Sequence, residues 1–220
     1  VWNKRHEFHY TGLTAAPDKA LQMALESEGK PAFITDSGDN VTSGATGWNT
    51  YILRQVLAEK ELKKKILFAN ICDPIAYQKL EQLEIGAKTH LHLGVDHDEM
   101  SRPVELDVTV KAKGTLRGYL HHPHDAVYGY SVAVAVDGLP LEINVASTRQ
   151  TMCEEHQFVG AGLNWDDYDV IVVKQGYIFP ELKELGALSI MSLTDGATLQ
   201  DTRRLPFKRI MRPMFPVDDI

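Results

Sequence analysis

Cysteine is scarce in this chain: Cys72 and Cys153 are the only two in 220 residues, far apart and outside any Cys-x-x-Cys pair. That leaves no disulfide framework and no thiolate zinc site. No apolar run approaches the roughly 18 residues of a membrane span, and Val1-Trp-Asn-Lys-Arg-His6 lacks the apolar stretch of a signal peptide. Both absences point to a cytoplasmic protein without a membrane partner. Positive charge is also short, with 23 Lys and Arg against 30 Asp and Glu and a net charge of -7. Nucleic acid is therefore not expected as a partner, because backbone phosphates demand a basic surface. The one basic run, Lys60-Glu-Leu-Lys63-Lys64-Lys65, reads as a solvated helix end. There is no Gly-x-Ser-x-Gly elbow and no His-Glu-x-x-His helix, so neither a serine hydrolase nor a self-contained zincin is supported. No Met stands first, as expected of a processed chain or of a piece of a longer one.

What is present fits a globular α/β protein, with 44% hydrophobic and 24% charged residues. Residues 1–30 read as an extended segment followed by a helix over 17–28, which starts at Pro17 and stops before Gly29. Residues 31–102 read as strand-helix-strand units: a strand at 31–35, a helix from about 47 to 60, a strand at 65–71, and a helix after Asp73-Pro74 with Ile75, Leu80 and Leu83 on its apolar face. From 103 to 150 the period changes to two. Val104, Leu106, Val108 and Val110 alternate with polar residues, and Asp137-Gly138 separates two further apolar runs, which predicts an antiparallel section with a hairpin. Residues 151–220 return to the α/β texture, with a strand at 169–174, a helix at 179–185 and a C-terminal tail expected to pack back as extended chain. The simplest architecture is one domain over 1–220 with a mixed sheet.

The stretch Asp36-Ser-Gly-Asp39-Asn40-Val-Thr-Ser43-Gly44-Ala-Thr-Gly47-Trp48-Asn-Thr50 links the first of these strands to a helix. Such a loop sets polar side chains and backbone N–H groups at one edge of a sheet, where α/β proteins bind ligands. The same residue types also make ordinary turns and helix caps. Asp36 and Asp39 are the candidate acid-base pair, and Asn40 offers an amide to orient a substrate. Ser43, Gly44, Gly47, Trp48 and Thr50 are the candidate lining. Lys174 ends a strand and would join this edge if that strand neighbours the one at 31–35. There it would pair with Asp36 or Asp39, or hold an anionic group.

Nine histidines invite a metal site. His90 and His92 would share a strand face, and His121, His122 and His124 lie in a Pro-containing loop, yet none has the spacing of an established motif. Cys153 has Glu154, Glu155 and His156 as sequence neighbours without a dedicated pattern. No metal ligand is assigned within this chain.

Several segments in order resemble the C-terminal half of the microcystinase C (MlrC) family of proposed zinc metallopeptidases. They are Trp2-Asn-Lys-Arg-His-Glu-Phe8, Asp36-Ser-Gly-Asp39-Asn40 with Gly44 and Gly47-x-x-Thr50, Thr148-Arg149-Gln150, Val172-Val173-Lys174, and Arg204-Leu-Pro-Phe-Lys-Arg209-Ile-Met-Arg212-Pro213. The resemblance implies a polypeptide about twice this length that hydrolyses small peptides. Its N-terminal half, absent here, would carry most of the zinc ligands. The Asp/Gly loop would then line a cleft shared between the halves, and this chain would be inactive when isolated. Val41-Thr-Ser43 replaces a glycine-rich run of the family, and Trp48 stands where an Asp is common. If that Asp does chemistry, the exchange removes it or implies another substrate; otherwise Trp48 is an aromatic wall of the pocket or a buried staple at the helix start. A second reading is a non-catalytic domain that holds a small anion at residues 36–50. A third is a structural or oligomerising domain, and a homo-oligomer is compatible with all three.

Overall fold

Segments that are apolar along their whole length become the centre of the sheet, because a strand buried on both faces has no polar side to offer. In the computed structural model, which describes residues 1–220, nine strands form one sheet. They are β1 (Thr14–Ala15), β2 (Ala32–Asp36), β3 (Ile66–Cys72), β4 (Lys88–Leu93), β5 (Val104–Arg117), β6 (Val127–Val136), β7 (Leu141–Ala146), β8 (Val170–Val173) and β9 (Leu188–Ser192). Their spatial order is β1-β9-β2-β8-β3-β7-β6-β5-β4. The strands from β1 to β7 in that order are parallel, while β6, β5 and β4 continue the sheet as an antiparallel meander. This is the mixed α/β fold that the sequence predicts.

Alternating side chains of the central strands feed two layers of helices. On one face Ile34, Phe68 and Val172 meet α1 (Pro17–Glu26), α2 (Tyr51–Ala58) and α3 (Pro74–Glu81) through Leu21, Leu53 and Leu80. On the other, Phe33, Leu67 and Ile171 meet α4 (Glu155–Gly160) and α5 (Pro180–Leu185) through Phe158 and Leu182. Each such fully buried side chain contributes about 1.5–3 kcal/mol of apolar transfer energy.

The structure moves several boundaries. The antiparallel region begins at β4, earlier than residue 103, because His90 and His92 pair across to β5. Helix α2 starts at Tyr51 rather than near 47, since Gly47 has φ +83 and the next residues are drawn into the loop. In α3 the core is met by Ala76 and Leu80, while Ile75 is exposed. The N-terminal segment contains a 3-10 helix over Trp2–Glu7. The tail packs back as expected but in turns, with Phe215 edge-on to Trp2 and His6.

Strand β8 arrives late in the chain and fills the slot between β2 and β3, with Val172 opposite both Ile34 and Phe68. The parallel strands therefore end together, bringing Asp36, Asp73, Ser147 and Lys174 to one edge. Strand β6 is antiparallel, with Ser131 opposite Ala146, so the β5–β6 loop lies off that same edge. Every candidate residue of the Asp/Gly loop belongs to this edge.

Candidate functional site

The insertion of β8 beside β2 sets the side chain of Lys174 against the Asp/Gly loop. Lys174 Nζ lies 2.9 Å from Asp36 Oδ2 and 3.0 Å from Asp39 Oδ2, and donates to the Asn49 carbonyl at 2.6 Å. All three charged side chains are at most 2% exposed. Burial pulls the ammonium toward its neutral form, but Asp36 and Asp39 outweigh this and hold the Lys174 pKa above its ordinary value. Burial pushes the Asp39 carboxyl up against the opposing pull of Lys174, and the charge of Asp36 adds to the rise. Two carboxylates thus share one ammonium in a dry site.

Both carboxylates accept further hydrogen bonds from the protein. Asp39 Oδ1 accepts the Gly47 N–H at 2.9 Å and Oδ2 the Asn49 N–H at 2.7 Å, while Asp36 Oδ1 accepts the Thr194 hydroxyl. Asn40 caps the turn that follows it, accepting from the Thr42 N–H at 3.0 Å and donating to Ser43 Oγ at 2.8 Å. Most backbone N–H groups from Gly38 to Thr50 donate within the protein as well. Gly38 and Asn40 donate to the Thr194 and Thr198 hydroxyls, and Val41 to the Lys174 carbonyl. The loop is a closed hydrogen-bonded unit, which leaves few amides for an anion.

The sequence left the meeting of Lys174 with Asp36 or Asp39 conditional on which strands are neighbours; β8 lies beside β2, and the three side chains come together, buried. Thr50 is buried too, its hydroxyl donating to the Arg102 carbonyl at 2.5 Å. Gly47 is buried, its N–H donating to Asp39 and its carbonyl accepting the Cys72 N–H. Ser43 and Gly44 form the exposed rim, where Arg149 Nη1 donates to the Gly44 carbonyl at 3.3 Å. Trp48 is half-buried, its ring 5.3 Å from that of His97. Beyond β9 the same edge carries an open cavity of about 1030 Å³, lined in part by Arg5, His6, Tyr10, Tyr177 and Arg204.

Zinc, the metal implied by the resemblance, does not fit the Asp/Gly loop, because the fixed ammonium of Lys174 already occupies the space between the carboxylates. A suitable donor set lies elsewhere on the edge. His124 Nε2 and His156 Nδ1 each stand 3.6 Å from Glu154 Oε2, and all three ligand atoms fall within 4.8 Å of one another. Nothing local in the sequence links residue 124 to 154 and 156. The available signal was the meander itself, since hairpins β5–β6 and β6–β7 return the chain after Ala146 to the edge where the β5–β6 loop lies. His90 and His92 do share a face, as their spacing predicts, but they pair with Glu105 and Asp107 across the strand.

Three comparisons bear on this arrangement. A family model described as "MlrC C-terminus" matches residues 34–209. No curated protein matches the chain. The crystal structure of a "putative metallopeptidase" from Mesorhizobium sp. BNC1 superposes with a TM-score of 0.78 at 20% identity, over 100% of this chain and 44% of that one. At that identity the likeness speaks for the fold, and this chain spans less than half the length of that protein.

Proposed function

The chain belongs to the MlrC C-terminal family, and from that membership we propose that it forms the C-terminal half of a metal-dependent hydrolase of small peptides or related amides. When bound, zinc supplies Lewis acidity toward the scissile carbonyl and the attacking water, with its ligands drawn mainly from the other half of the polypeptide. The observation that carries this chain's role is the burial of Lys174 between Asp36 and Asp39, in a loop whose Ser43 and Gly44 are exposed. Asp36, Asp39, Asn40 and Lys174 act as positioning residues: their hydrogen bonds fix Ser43, Gly44 and Trp48 relative to the sheet. A rim fixed in advance orients a substrate without the entropy cost of ordering a loop. Trp48 supplies an aromatic wall where the family commonly carries an Asp, and so shapes the choice of substrate.

The test compares the 220-residue chain with a longer polypeptide that joins it to an upstream half, both assayed with zinc on short peptides. The joined protein turns over and a chelator stops it, whereas the chain alone is inactive. Trp48→Ala raises KM with little change in kcat, as expected of a side chain that holds substrate and transition state alike. Turnover by the isolated chain, or none by the joined one, would overturn the reading.

A further inference from the structure

We infer that His124, Glu154 and His156 form a cation site of this chain's own, one that takes a first-row divalent metal such as Zn2+ and stands apart from the hydrolase reading. Each of the three donors is prepared differently. His156 Nε2 lies 2.7 Å from the Gly118 carbonyl, a contact that places the ring proton on Nε2 and leaves the Nδ1 lone pair facing Glu154. A hydrogen bond from the far ring nitrogen to a backbone carbonyl is the usual support of a metal-ligating histidine. Glu154 Oε1 accepts the Leu120 N–H at 3.1 Å, while Oε2 is buried and takes no hydrogen bond. That oxygen is therefore a buried acceptor left without a donor.

The spacing fits a metal better than a direct contact. A separation of 3.6 Å from Glu154 Oε2 to each histidine nitrogen is too long for a hydrogen bond. Metal–ligand distances of about 2.0–2.2 Å put neighbouring ligands of a tetrahedral centre about 3.3–3.6 Å apart. The His124 and His156 rings stack with centroids 4.0 Å apart and planes 9° from parallel, which sets their nitrogens side by side. The His124 side chain is 62% exposed, so rotation about its own bonds can bring both lone pairs to a common point. Two imidazoles and one carboxylate suit zinc, and with three protein ligands a fourth position remains open to solvent. A metal here would tie the β5–β6 loop to the start of α4.

The probe is the metal alone, with Co2+ as the spectroscopic stand-in for Zn2+, titrated into tag-free, chelator-stripped 220-residue chain. One ion per chain is expected, with a tetrahedral Co2+ spectrum displaced by Zn2+. His124→Ala, Glu154→Gln and His156→Ala should each weaken binding by at least about tenfold. The double variant His90→Ala/His92→Ala should bind as the parent does. His124 lies in an exposed loop, so its variant keeps the test open if a Glu154 or His156 variant fails to fold. Absence of binding by the parent, or unchanged affinity in His124→Ala, would overturn the assignment. Neither result depends on peptide turnover.

Discussion

Lys174 reaches across from β8 to place its ammonium 2.9 Å from Asp36 at the end of β2, so that two residues 138 positions apart join in a buried ion pair. Asp39 completes the group at 3.0 Å. Pairs of this kind add little net stability while complete, because desolvation offsets the attraction, but removing one partner leaves the other charged and dry.

Lys174→Met should therefore destabilise the chain by about 3–5 kcal/mol, the range for breaking a buried pair. Urea unfolding of parent and variant would measure it. A loss below about 1 kcal/mol would mean that water already reaches the carboxylates.

Gly38→Ala is expected to unseat the loop without touching a charge. An added Cβ would lie 2.3 Å from the Asp195 carbonyl oxygen and 2.4 Å from that of Thr194, both backbone atoms that cannot step aside. Overpacking of this kind costs about 1–3 kcal/mol. Hydrogen exchange should also show faster exchange at the amides of Gly47 and Asn49, which donate to Asp39.

Alkaline pH should weaken the fold through Cys72. Burial, with Asp73 and Asp39 nearby, pushes this thiol from 9.0 up to about 11. The folded chain keeps a proton that the unfolded chain loses between those values. The contribution is thus complete below about pH 9 and lost as pH rises through 11, on the order of 2–3 kcal/mol. Unfolding free energies measured from pH 8 to 11 should fall less steeply for Cys72→Ala than for the parent. Equal slopes would refute the assignment.

On the open edge, His90 should titrate above the ordinary histidine value of 6.5, because its ring hydrogen-bonds Asp107 and pairs with Glu105. Any stabilisation that follows is present below pH 6.5 and lost as pH rises through the shifted midpoint. NMR titration of the ring should show Asp107→Asn lowering that midpoint while the melting temperature stays put, as befits an exposed pair.

Much of this was legible in the sequence for physical reasons that can be named. The largely apolar run Ile66–Cys72 and the apolar run Val170–Val173 read as strands covered on both faces, and Asp137-Gly138 makes the hairpin between β6 and β7. The Asp/Gly loop was recognisable as special, but not whether it faces substrate or itself. Asp39 and Asn40 belong to the residue types that serve both as catalysts and as caps, and only the neighbours decide: Lys174 and the N–H groups of Gly47 and Asn49 consume what a substrate would need. The trio His124, Glu154 and His156 was hidden because strand pairing, not sequence spacing, brings it together.

The position of β8 has a further consequence, in time rather than in space. Until residues 170–173 have been made and have entered between β2 and β3, those two strands have no hydrogen-bonded neighbour in common. Pairings over such sequence separations are slow to form, because the intervening chain must be closed into loops first. Pulse-labelled hydrogen exchange during refolding should accordingly find Gly47 and Asn49 protected no earlier than β8. The rim at Ser43, Gly44 and Trp48 is then among the last parts of the molecule to take shape, and an interrupted or truncated synthesis would leave a chain rich in native helix and strand but without a settled edge.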